Sequence, residues 1–167
     1  IYIRNIIIVR CMAINNYKKL KAKYSLPEQE KLMERLEIEV KADDSQSMLL
    51  QSIRNSIADK LFDIMKTLEV ALFTNEGSEP GTLYQEQMIK SVSKQGFEAY
   101  KTLNWLFYLG FKLRFGHDRE KDADFINSVF EKWPLIENKL FQFFEKIEHG
   151  WQDLDVSKEM KPENYHG

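Results

Sequence analysis

Four carboxylates, Glu34, Glu37, Asp59 and Asp63, come closest to a catalytic pattern in this chain. Paired acids on neighbouring helices can hold magnesium and activate water for nucleotide hydrolysis, and Glu34-x-x-Glu37 has the one-turn spacing of a first pair. Asp59 and Asp63 are four residues apart rather than at the Glu-x-x-Asp spacing of a second pair, so the competing reading is two solvated helix faces. A second chemistry is carried by Tyr17-Lys18-Lys19-Leu20-Lys21-Ala22-Lys23-Tyr24. Lys18, Lys19, Lys21 and Lys23 can neutralise phosphates, and Tyr17 and Tyr24 can stack on unpaired bases. The structural alternative keeps the lysines in water and packs Tyr17, Leu20 and Tyr24 on the rest of the protein.

The remaining reactive residues do not assemble into a signature. His117, His149 and His166 are the three histidines. His117-Asp118 has the dipeptide of metal-dependent HD phosphohydrolases, but no histidine lies upstream to complete that site. Glu145 and His149 stand four apart and occur once, whereas a ferritin-like di-metal bundle needs Glu-x-x-His on two helices. No arginine precedes a histidine at the spacing of a helical RNase, and neither a Gly-x-Ser-x-Gly elbow nor a phosphate-binding glycine loop occurs. Cys11 is the single cysteine, which excludes an intramolecular disulfide, a redox pair and a cysteine-based zinc site. The sequence therefore implies no cofactor and no resident metal, and a reducing, cytoplasmic location.

With 167 residues, 43% of them hydrophobic and 13% aromatic, the chain can build one ordinary core. The net charge of −2 argues against a general polyanion binder, yet the charge is unevenly placed. Residues 1–24 hold six cations and no acid, whereas residues 28–44 hold seven acids against three bases. Such a basic arm beside an acidic stretch suits self-association or intramolecular pairing as well as an external ligand. Residues 1–11 read as a translated leader or a mis-set start, with an ordered segment packed on the domain as the alternative. They are too short to cross a bilayer.

The elements that must position these groups are helices. Leu49, Ile53, Ile57, Leu61, Ile64, Leu68 and Leu72 advance by threes and fours, as do Met88, Val92, Gly96, Ala99, Leu103, Leu106, Gly110 and Leu113. Ile126, Val129, Trp133, Ile136, Leu140, Phe143, Ile147 and Trp151 form a third stripe that keeps phase across Pro134. This predicts an all-α protein, an elongated antiparallel bundle of three long helices over about 45–73, 82–115 and 119–153, with one or two short N-terminal helices. Residues 12–155 form its single domain, and 156–167 a polar tail. Ser25 with Glu28 and Thr82 with Gln85 read as capping boxes, and Asp118 as an N-cap. Residues 37–44 lack a clear period and read as a linker or a stretch lying along the bundle surface. Gly96 and Gly110 lie on a buried line, where a mid-helix glycine costs about 0.5–1 kcal/mol against alanine, so a close-fitting neighbour or a glycine-floored pocket is expected there.

Residues 103–115, LNWLFYLGFKLRF, are apolar almost all round and too short for a membrane span. Left uncovered, Trp105, Tyr108 and Phe111 would form a partner surface. The leading expectation is a non-catalytic binding or adaptor protein that works through helix-face protein contacts, to a protein partner or a copy of itself, and not at a membrane. An RNA- or ribosome-associated factor held by the basic N-terminal helix is the first alternative, and a divalent-metal nucleotide hydrolase the second.

Overall fold

A computed structural model describes residues 15–40, 48–73 and 82–152 of the chain. The described residues form five helices and no strand: α1 (residues 15–24), α2 (Gln29–Leu36), α3 (Leu49–Phe73), α4 (Thr82–Leu113) and α5 (Arg119–Gln152). The three long helices pack against one another, so the all-α bundle read from the apolar spacing is the fold. No helix among the described residues is long and apolar enough to cross a membrane. The leader and tail, residues 1–11 and 156–167, lie outside the described residues, as do the side chains of Thr82 and Gln85 that the capping box needs.

Neighbours in the bundle run antiparallel. Phe62 of α3 meets Phe107 of α4, and Phe73 further along α3 meets Phe97 earlier on α4. Gly96 and Gly110 receive α5 in the same sense. A Cβ at Gly96 would stand 2.6 Å from a ring carbon of Phe143, and one at Gly110 would stand 2.6 Å from a ring carbon of Phe125. Both rings are buried, so the glycines are the sockets into which α5 sets two of its aromatic knobs. Close fit, not a pocket, accounts for them. Pro134 lies on the exposed side of α5, which continues through it as one helix.

Helices α1 and α2 close over the flank between α3 and α5. Leu20, Leu26, Leu32, Leu36, Ile38 and Val40 are buried there, Glu37 of α2 pairs with Lys60 of α3, and the Asn127 amide of α5 donates to the Tyr24 carbonyl at 3.0 Å. Of the 37–44 stretch, residues 37–40 lie along the bundle: Glu37, left-handed at a φ of 54°, ends α2, after which Ile38 and Val40 are buried and Glu39 is exposed. Ser25 also departs from its expected role. It stands at a left-handed φ of 54° and ends α1, with the Leu26 amide donating back to the Lys21 carbonyl at 3.3 Å. The N-cap of α2 is Glu28, whose carboxylate goes to Lys21 rather than to the helix amides.

Asp118 does cap α5. Its Oδ1 accepts from the Glu120 and Lys121 amides at 3.1 and 3.3 Å.

Candidate functional site

Two charged groups among the described residues are buried in the helical core. Arg54 of α3 is fully buried and Asp122 of α5 nearly so. Arg54 Nη1 donates to Asp122 Oδ1 at 2.8 Å and to the Leu113 carbonyl at the end of α4 at 2.6 Å, and Nη2 donates to Asn55 Oδ1 at 3.0 Å. One guanidinium therefore ties all three long helices together at one end of the bundle. Burial pushes the Asp122 carboxyl above its ordinary range, and the attraction of Arg54 offsets only part of that. Enclosed and hydrogen-bonded through both terminal nitrogens, with only the Arg54 Nε buried without an acceptor, the pair is a structural clasp and offers nothing to a substrate.

The four expected carboxylates do not converge. Glu37 pairs with Lys60 and Asp59 with Arg114, while Glu34 and Asp63 are exposed. Among the described residues, no three His, Cys, Asp or Glu side chains come together in a way that could hold a metal ion. His117, Glu145 and His149 are likewise exposed, His117 just before α5 and the other two one turn apart near its end.

The basic helix is divided between anchoring and exposure. Tyr17 is 2% exposed, and its hydroxyl donates to the Pro27 carbonyl at 2.7 Å, so its ring is not available to stack on a base. Burial drives that phenol well above its usual range. Tyr24 is half-buried against the core, with the Lys23 ammonium 4.7 Å from its ring centre. Lys21 is held by Glu28, whereas Lys18, Lys19 and Lys23 are exposed. An open hollow of about 720 Å³ lies beside them, lined by Tyr17, Lys18, Lys21, Met33, Ile38 and Val40. Glu28 and Glu30 share its rim, so it has no uniform charge.

The outer seam between α3 and α4 is different in kind. Phe62, Phe73, Phe97, Tyr108, Phe111 and Phe115 are all exposed large hydrophobics, Phe115 at 82% and Tyr108 at 63%. They are not scattered. Phe62 touches Phe107, Phe107 touches Tyr108 and Phe111, and Phe111 touches Phe115, with ring centres 5.3–5.9 Å apart. At the other end Phe73 touches Phe97 and Tyr100 at 5.4 and 5.6 Å. Ring pairs at these separations and tilts are favourable, so the row is held in place before anything binds it.

The trio expected from the sequence is split. Tyr108 and Phe111 belong to this row, whereas Trp105 lies on the α5 side of α4 with the Lys132 ammonium 5.6 Å from its ring. Phe62, Phe73, Phe97 and Phe115 were not foreseen, although the i, i+11, i+14, i+18 spacing of Phe97, Tyr108, Phe111 and Phe115 carries the signal.

Charge of both signs borders the row. Asp59, Asp63 and Lys66 edge it on α3, with Asp59 paired to Arg114 and the Lys66 ammonium, held by Glu69, 5.6 Å from the Phe62 ring centre, and Lys101 and Lys112 edge it on α4. Asn104 sits within the α4 half, its amide oxygen buried without a donor. No family model, curated protein or solved structure matches this chain.

Proposed function

We propose that this protein is a non-catalytic helical-bundle binding module whose working surface is the aromatic row on the outer face of α3 and α4. The exposed, ring-to-ring packing of its two clusters, Phe62 to Phe115 and Phe73 with Phe97 and Tyr100, carries the reading. Isolated exposed phenylalanines are ordinary on a protein surface, but clusters of them along one seam, rimmed by charge, have the composition of an interface core awaiting its second half. Aromatic side chains give large contact area for few rotatable bonds, and here neighbouring rings already limit those. The single cysteine fits a cytoplasmic setting.

A photoreactive phenylalanine analogue placed at Tyr108, in the native cytosol, tests the reading. A covalent adduct of discrete mass is expected from that position and none from the same probe at Glu137, an exposed residue of α5. Equal labelling from both positions, or none from Tyr108, would remove the proposed surface.

A second reading rests on Lys18, Lys19 and Lys23, a row of exposed cations on α1 that could meet an RNA backbone. With Tyr17 enclosed, such binding would be electrostatic and indifferent to base sequence. Replacing the three lysines by alanine should then abolish RNA retention at low salt, and unchanged retention discards the reading.

A further inference from the structure

We draw no further inference here: the strongest candidate, the row of exposed rings along the outer seam between α3 and α4, belongs to the surface already described, and nothing in the structure shows what covers it.

Discussion

Helix α3 has two flanks, and the protein treats them in opposite ways. Towards α5 the groove is filled with aliphatic side chains from α1, α2 and residues 38–40, with Leu32 and Leu36 at 0% and 1% exposure. Towards α4 the groove is lined by aromatic rings and left open, with Phe62, Phe73 and Phe97 each more than a third exposed. Aliphatic side chains repay their burial through shape-filling contact within a folded chain, whereas exposed rings keep each other ordered and cost less entropy when a second surface arrives. One flank is therefore finished by the chain itself, and the other has the make-up of a surface finished from outside.

The comparison breaks most sharply at the clasp beneath both flanks. Asp122→Ala leaves the Arg54 guanidinium buried without its carboxylate, and a loss of about 3–5 kcal/mol in urea unfolding is expected. Asp122→Asn keeps an oxygen for Arg54 and should cost clearly less. The Asp122 carboxyl is raised by burial, so the folded state holds that proton more tightly than the unfolded chain does. Its contribution is accordingly present below the unfolded carboxyl range and lost as pH rises through the higher folded one. Wild type should lose stability relative to Asp122→Asn as pH climbs from about 3.5 into that raised range. A difference that grows on acidification instead would show that the Arg54 attraction outweighs desolvation.

The two flanks should also answer truncation differently. Leu32→Ala empties a fully buried site on the closed flank and is expected to cost about 2–5 kcal/mol. Phe115→Ala removes a ring that is 82% exposed, and at monomer concentrations it should change stability by no more than about 0.5 kcal/mol. If the two losses are alike, the open flank is part of the folding core and the contrast fails.

The bundle could be read directly from the chain, because a 3.6-residue period records which side of a helix is buried. The finer assignment of surfaces could not. Trp105, Tyr108 and Phe111 recur every three residues, a spacing that slips 60° around the helix at each step, so the trio winds off the face that it was expected to define. The row that does hold phase draws Phe62 and Phe73 from another helix, and only the packing decides which seam α1 and α2 cover.

Arg54 is hidden for a similar reason: a charged residue does not register in an apolar period, although it stands four residues after Leu50 and three before Ile57, within the α3 stripe. Asp122 shares the phase of Phe125 and Ile126, three and four residues on. A charge inside an apolar stripe, matched by the opposite charge in a neighbouring stripe, was the available signal. Gly96 and Gly110 were legible as sites of close approach because glycine is costly in mid-helix, but the rings that fill them had to come from the structure.

A smaller effect separates socket from seam. Alanine at Gly110 gains about 1 kcal/mol of helix propensity, yet its methyl would stand 2.6 Å from the buried Phe125 ring and 3.3 Å from Ala58. Overpacking of this kind costs about 1–3 kcal/mol, so Gly110→Ala should be destabilising by about 1 kcal/mol net. Adding Phe125→Leu should then cost less in that background than it does in the wild type, a coupling that a double-mutant cycle reads directly.

The smallest expected effect bears on whether the closed flank folds as one unit with the bundle. Ser25 holds a left-handed φ of 54°, a conformation that side chains with a Cβ resist and glycine does not. Ser25→Gly relieves that strain but gives the unfolded chain more freedom to lose, which leaves a gain of about 0.5 kcal/mol. Where that gain appears is the informative part. If α1 and α2 seal the flank cooperatively, hydrogen exchange should slow by the same factor at Leu26 and Ile38 on the closed side and at Leu103 and Val129 in the core. Slowing confined to Leu26 and Ile38 would mean that the cover opens on its own, and that the α3–α5 flank, too, is periodically available to an outside surface.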